Sequence, residues 1–405
     1  MRGNIEHFDC IVVGLGAMGS ATAYQLAKRG VTVLGIDRFS PPHIYGSTHG
    51  ETRITRQAIG EGEEYVPLVL RSNEIWRELE RETGQTLLTQ NGGLILASAG
   101  GESHLHGKPD FFGRTVSAAE KFGIKHEILE ASEITKRFSP FHLQGDERGY
   151  YEPGAGFLNP EACVTAQLSL AEHHGATLHT GETVTAILPD LDKAGATVTT
   201  NRESYHAERL ILTAGSWLPQ LLEAPSLQIP QIQFPVYRQV LYWFEVNGDI
   251  EAFLPEKFPV FIWSHGGSSE GIYGFPALNG KAGGVKVATE QFIETVTPET
   301  VSREVTPSEI QRMYRENIAD FLPSLSENCV SAVTCLYTVA PDSRFVLASH
   351  PAHPQIFVAS PCSGHGFKHS AAIGEAIADW ATQTPSSLDL SSFGFYPQIN
   401  TENTD

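Results

Sequence analysis

The feature that most constrains this chain is a short glycine-rich turn near its start. Residues 8–13 form an apolar run with β-branched members and read as a buried strand. Gly14, Gly16 and Gly19 follow in the spacing G-x-G-x-x-G, and residues 20–29 carry a helical pattern that Gly30 ends. Residues 31–36 are a second apolar strand, closed by Asp37. The first glycine of such a βαβ unit makes the tight turn and the second admits a pyrophosphate close to the backbone. The third lets helix and strand pack. The helix N-terminus offers unpaired N–H groups to phosphate, and Asp37, roughly 20 residues on, can accept from a ribose. A dinucleotide site is expected here.

The motif does not choose between NAD and FAD. A NAD dehydrogenase would continue directly into another βαβ step. Here residues 39–62 interrupt it, rich in Gly, Pro, His and Arg, and a loop of that length in a compact protein is usually functional. A strand at 208–213 ends in Ala214-Gly215-Ser216-Trp217, which also fits a flavoprotein.

The rest of the chain reads as mixed α and β. Residues 65–81 are an amphipathic helix, 98–113 a loop, and 177–201 an alternating hairpin or meander. Strands are expected at 236–246, 271–275, 284–288 and 355–359, and helices at 310–321 and 370–381. The fold class is therefore α/β: a Rossmann-like FAD-binding domain from residues 1–90, 150–228 and 335–388, with a substrate domain on a mixed or antiparallel sheet from 91–149 and 229–334. At 405 residues there is length for two such lobes.

Charge narrows the partners. A formal net charge of −19 disfavours nucleic acid and anionic membrane, and no apolar run approaches a membrane span. Five widely spaced cysteines without a C-x-x-C pair suit free thiols in a reducing cytoplasm, and the polar N-terminus shows no secretory signal. His104 and His106 lack carboxylate or cysteine company, so a solvated loop is expected there and no metal. His173-His174 reads as a helix end.

Several longer motifs now join the glycine turn. They are Ser40-Pro41-Pro42-His43 running into Gly46 through Ile54, then Gly60-Glu61-Gly62, Tyr273-Gly274-Phe275-Pro276, Cys335-Leu336-Tyr337-Thr338 with Pro341-Asp342, and Ser363-Gly364-His365-Gly366-Phe367-Lys368. Over nearly the whole chain this pattern resembles the monomeric sarcosine oxidase and N-methyltryptophan oxidase family, within the D-amino-acid-oxidase-like flavoproteins. The resemblance implies FAD, with Cys335 thioether-linked to the flavin 8α-methyl. It sets Gly14, Gly16, Ala17, Met18, Gly19, Asp37, Arg38, Ser47, Thr48, Val184, Ala214, Gly215, Trp217, Gly364, His365, Gly366 and Lys368 on the cofactor. Arg53 would lie against the isoalloxazine, Arg56 and Lys368 would hold the substrate carboxylate, and Lys286 would be the site of O2 reduction. His49, Tyr273 and Tyr337 fall on active-site positions.

The chemistry asks for such groups. Oxidising an amino acid moves a hydride equivalent from the carbon beside nitrogen to flavin N5, so the protein's work is to position and polarise. Arg offers a planar fork for a carboxylate and Lys a point charge. An ammonium at Lys286 would stabilise superoxide, and the helix after Gly366 would stabilise an anionic reduced flavin. Read without the resemblance, Arg53 and Arg56 are loop cations, Cys335 a buried thiol, Lys286 a solvent-facing lysine with Lys281 as its competitor, and the tyrosines core aromatics.

The chain also departs from the family. Glu290 stands where the sarcosine oxidases carry histidine. On a strand it shares a face with Lys286 and Ala288, so it either pairs with Lys286, reads a cationic or hydroxylated part of the substrate, or is solvated at the strand end. Ile59 replaces a tyrosine, and Ile262 and Trp263 fill a region the family lines with methionine. A larger or differently polar N-alkyl or cyclic amino acid than sarcosine is expected, handled by a monomer with O2 as acceptor and kcat/KM rising over roughly pH 7 to 10 as the amine loses its proton. Two alternatives share the fold: a noncovalent FAD dehydrogenase or deaminase, and a flavin-binding protein without catalysis. A NAD-dependent dehydrogenase is more distant.

Overall fold

The computed structural model describes residues 5–98, 108–191, 194–229, 232–264 and 271–395. The βαβ unit forms as expected, from strand Glu6–Val13 through helix Ala17–Lys28 to strand Val33–Asp37. The two strands pair in parallel, Cys10 against Val33 and Val13 against Ile36. They belong to an eight-stranded sheet in which Glu6–Val13 also runs parallel to Ser204–Leu212, and Val33–Asp37 parallel to Thr177–Thr180. The 177–201 stretch therefore divides: its first strand extends the parallel sheet, while Val184–Pro189 and Ala196–Thr200 make an antiparallel hairpin on the opposite edge. Ile356–Ser360 joins in parallel beside Ser204–Leu212.

Helix Ala17–Lys28 covers one face of this sheet, flanked by Pro160–His173 and Ser370–Ala381. Its contact with the last of these depends on Gly374, where a Cβ would press against Ala21 and the backbone of Thr22. Burial of Leu26, Val33, Ile373 and Ile377 in one cluster holds the layers together.

A second, nine-stranded sheet is mostly antiparallel. Its spine is Val236–Val246, paired on one side with Leu325–Thr338 and on the other with Val285–Thr289. Beyond lie Ile272–Gly274, Val260–Ser264, Gly93–Ser98, Glu147–Glu152 and Glu127–Glu130, and Val260–Ser264 runs parallel to Gly93–Ser98. Glu147–Glu152 and Leu325–Thr338 cross the boundaries expected at 150 and 335 without a break, so residues 150–152 and 335–338 pair within this second sheet.

Three other expectations shift. The 39–62 segment contains a short strand, Arg53–Thr55, in a small sheet with Gly156–Leu158 and Leu88–Thr89. The 98–113 loop ends early because Asp110 caps a helix at Phe111–Phe122, its side chain accepting from Gly113 N. The helix expected at 310–321 starts at Pro307, where Thr306 and Glu309 form a capping box, and ends at Asn317. His104 and His106 lie outside the described residues. Among the described residues no group of His, Cys, Asp and Glu could hold a metal ion, and no helix is long and apolar enough to cross a membrane.

Candidate active site

The glycine turn opens onto a cavity of about 240 Å³, the larger of the two that form the candidate site. Gly14 takes φ +92°, which a side chain rarely tolerates, and a Cβ on Gly19 would fall on the carbonyl of Gly14. Gly19 thus packs the turn and does not line the cavity, whereas Gly14, Gly16, Ala17 and Met18 do. Gly16 caps the helix with no side-chain bond, and the first turn carries no acidic residue. Bare N–H groups at a positive dipole end therefore meet the cavity, as a pyrophosphate requires. Asp37 lines it as well, buried, with Oδ2 accepting from Leu15 N and Oδ1 from Phe39 N, both at 2.8 Å. Burial raises the Asp37 pKa, and those two donors oppose the rise.

Arg38, Ser47, Thr48, Val184, Ala214, Gly215, Trp217, Gly364 and Gly366 complete the wall from five separate stretches of chain. Arg38 stacks over Trp217, 5.4 Å from the ring centroid. Sequence reasoning missed Glu182 and Cys362, which also line this cavity. No local motif marks either of them.

The smaller cavity, about 70 Å³, has Arg53, Tyr337, Gly364 and Phe367 in common with the larger one, so the two meet along a shared wall. Arg56 and Lys368 both line it, although 312 residues separate them in sequence (368 − 56). Both are buried, at 4% and 5% exposure. Lys368 Nζ donates to the His365 carbonyl at 2.8 Å, and its pKa is pushed down to about 7 by burial and by Arg56, against the pull of Glu61 and Glu290. His365, expected on the cofactor, lines this smaller cavity instead, as does Lys368. The partner of Arg56 is Glu61, which the sequence displayed only as the middle of a Gly-Glu-Gly motif.

Lys286 is buried on the cavity wall, not solvent-facing, while Lys281 is exposed. Its Nζ donates to the carbonyls of Gly50 (2.7 Å) and Thr52 (3.0 Å) and to the Thr52 hydroxyl (2.9 Å). Burial and the Arg53 charge hold its pKa well below the usual lysine value. Arg53 spans both cavities and donates to the Ser47 carbonyl at 2.6 Å. His49 lines neither cavity. It is buried, its Nε2 lacks a hydrogen-bond partner, and burial with the nearby Arg53 and Lys286 charges drives its pKa to about 3, so the ring is neutral.

Tyr273 and Tyr337 present their hydroxyls 3.5 Å apart in the smaller cavity. Ile262 lines it too, but Trp263 turns the other way and is fully buried in the core of the second sheet, as strand alternation requires. Ile59 is likewise core. Glu290 is buried at 8% exposure and lines the cavity, which removes the solvated reading. Cys335 is 1% exposed, with Sγ 3.6 Å from the Ser47 carbonyl and 3.8 Å from that of Gly46, directly behind two residues of the larger cavity.

A dinucleotide cradle sharing a wall with a small cation-rich cavity defines a flavoprotein oxidoreductase. Comparison with known proteins gives the particular group. The model of the family described as FAD dependent oxidoreductase matches residues 9–380, and the chain belongs to that family. It is 41% identical over 379 residues to monomeric sarcosine oxidase of Streptomyces avermitilis, covering 92% of this chain and 93% of that one. It is 31% identical over 387 residues to N-methyl-L-tryptophan oxidase of Salmonella arizonae, at 95% and 98% coverage. Among solved structures it is similar to NikD, an unusual amino acid oxidase essential for nikkomycin biosynthesis, with TM-score 0.79, 25% identity and coverage of 96% and 97%. The chain is an FAD-dependent enzyme of the amino acid oxidase type.

Proposed function

We propose that the chain oxidises the C–N bond of a secondary amino acid, N-methyl or cyclic, with O2 as acceptor. The sum is amine, O2 and water to a carbonyl product, the dealkylated or ring-opened amine, and H2O2. The observation carrying this reading is the shared wall: the cavity holding Arg56, Lys368 and Lys286 adjoins the dinucleotide cavity at Arg53, Tyr337, Gly364 and Phe367.

FAD would be held by Gly14, Gly16 and the helix start at its phosphates and by Asp37 at a ribose, with Arg53 and the Gly364–Gly366 turn at the shared wall. Bound there, it accepts the hydride equivalent and passes electrons to O2. The residues supply position and field. Arg56 and Lys368 grip the substrate carboxylate and so orient the carbon to be oxidised. Ile262, Ile272 and Phe275 exclude water around the alkyl part. Lys286, tied by three acceptors, fixes a hydrogen-bond donor beside the wall where O2 gains negative charge. His49 stays neutral and cannot compete for the carboxylate.

Attachment of the flavin to Cys335 belongs to this reading, supported by the sulfur's place behind Gly46 and Ser47. So do a monomeric state and a reducing cytoplasm, the latter supported by the unpaired state of all five cysteines. The test is anaerobic mixing of the yellow holoprotein with N-methyl, cyclic and primary amino acids. Secondary amino acids should bleach the flavin and air should restore its colour with release of H2O2. If no amine bleaches it, the proposal fails; slow recolouring in air points to a dehydrogenase.

A further inference from the structure

We propose that Glu161 is a positioning residue for the O2 step, acting at a distance by fixing the turn that holds Lys286; this rests on the role given to Lys286 above. Residues 50–52 leave the ordinary backbone regions. Gly50 has φ +96° and Glu51 φ +69°, and Thr52 N donates to the Gly50 carbonyl at 2.8 Å. That is a γ-turn of the strained hand, centred on a residue with a side chain. Such a turn persists only where its surroundings over-determine it.

Glu161 supplies much of that constraint. It lies in the first turn of helix Pro160–His173, whose start is fixed by Asn159 accepting from Ala162 N at 2.9 Å. Its Oε1 accepts from Gly50 N at 2.6 Å and from Glu51 N at 3.2 Å. The Glu51 carboxylate accepts in turn from Trp243 Nε1 (2.9 Å) and Asn279 Nδ2 (3.2 Å). With its N–H groups held from that side, the turn aims the Gly50 and Thr52 carbonyls at Lys286 Nζ. The centroid of the Phe275 ring lies 4.4 Å from the same nitrogen. The charge of Glu161 also reaches Lys286 but ranks behind burial, Arg53 and Cys335, so position is its main contribution. Glu161 Oε2 is buried without a hydrogen-bond partner among the described residues. One oxygen therefore holds both N–H groups, and an amide oxygen can take its place.

The test is stopped-flow reoxidation of the holoenzyme by O2, after reduction with dithionite so that no amine is needed. Glu161→Asp keeps the charge and withdraws the acceptor by about 1.5 Å. It should slow reoxidation by at least about tenfold, whereas Glu161→Gln should recover the unmutated rate to within about threefold. Flavin reduction by sarcosine should fall less than about threefold in both. In a Lys286→Met background Glu161→Asp should slow reoxidation no further, since the lysine through which it acts is gone. Hydrogen exchange of the peptide spanning residues 50–52 should quicken in Glu161→Asp and not in Glu161→Gln. Glu161→Ala, which removes the acceptor, stands in where Glu161→Asp does not fold. Unchanged reoxidation or unchanged exchange in Glu161→Asp overturns the inference. So does a loss that adds to that of Lys286→Met, an equal fall of reduction and reoxidation, or a Glu161→Gln enzyme as slow as Glu161→Asp. Failure of every amine to bleach the flavin, with dithionite-reduced protein behaving as expected, instead defeats the proposed substrate and leaves the inference standing. An unchanged rate in Lys286→Met removes the O2 role of that lysine and the inference with it.

Discussion

One guanidinium nitrogen of Arg56 lies 2.7 and 2.6 Å from the two carboxylate oxygens of Glu61, and the pair is buried at 4% and 2% side-chain exposure. The other terminal nitrogen donates to the Ala58 carbonyl at 2.6 Å, and the ring of Phe111 lies 5.0 Å beneath. Arg56 is therefore held on three sides before any substrate arrives. Glu61→Gln keeps the shape and removes the charge, leaving a buried cation without its counterion, which typically costs about 3 kcal/mol. The expected outcome is a lower melting temperature and a higher KM for every carboxylate substrate. An unchanged KM would separate Glu61 from substrate binding.

Lys368 gives the site a pH dependence of definite sign. Its pKa near 7 sits below the ordinary 10.5 because burial and Arg56 outweigh Glu61 and Glu290. The unfolded chain then binds more protons than the folded one between those values, so this group makes stability rise with pH from about 7 to 10. Carboxylate binding runs the other way, since the ammonium is the binding form. The dissociation constant of a carboxylate without an amine should climb above about pH 7, by up to about tenfold per pH unit. Lys368→Met should flatten both curves. Measured kcat/KM for amines combines this fall with the rise from substrate deprotonation, so a peaked profile is expected.

Glu299 closes the cofactor cavity from outside. Its carboxylate accepts from Arg38 (2.9 Å), Trp217 (2.9 Å) and Gln220 (2.5 Å), all three of which line that cavity. Arg303 nearby donates to the carbonyls of Ile44 and Tyr45. The segment after strand Thr295–Val296 thus straps the loop behind Asp37, next to the ribose site. Exposed ion pairs of this kind are weak singly, so Glu299→Ala should loosen FAD by about tenfold at most in a Cys335→Ser background. FMN, which lacks the adenosine half, should bind unchanged in a fluorescence titration. Equal loss for both would make the strap a general structural tie.

The dinucleotide half was legible because its determinants are local: strand, glycine turn, helix and Asp37 lie within 32 residues (6–37). The second sheet was legible only in pieces. Val260–Ser264 lies beside Gly93–Ser98 in parallel register, and nothing in either segment announces a partner so remote in sequence. The same distance hid the charge balance of the small cavity. Arg56, Lys286 and Lys368 stood out through the resemblance, but their state depends on Glu61, Thr52 and His365, which tertiary packing alone brings near. Trp263 illustrates the remaining ambiguity: adjacent residues on a strand face opposite ways, and the sequence around Ile262 did not say which entered the site.

The proposed flavin linkage has two candidate thiols near the cofactor cavity, Cys362 and Cys335. Cys362 lines the larger cavity and burial pushes its pKa up, so it is poorly prepared to act as a nucleophile. Cys335 lies behind Gly46 and Ser47, and the guanidinium of Arg53 comes within 3.6 Å of its sulfur. In a denaturing gel of the purified holoprotein, flavin fluorescence should run with the protein band. It should disappear in Cys335→Ser and persist in Cys362→Ser. Fluorescence lost only in Cys362→Ser would move the linkage to that residue, and fluorescence absent from the unmutated chain would mean a cofactor held by the cradle alone.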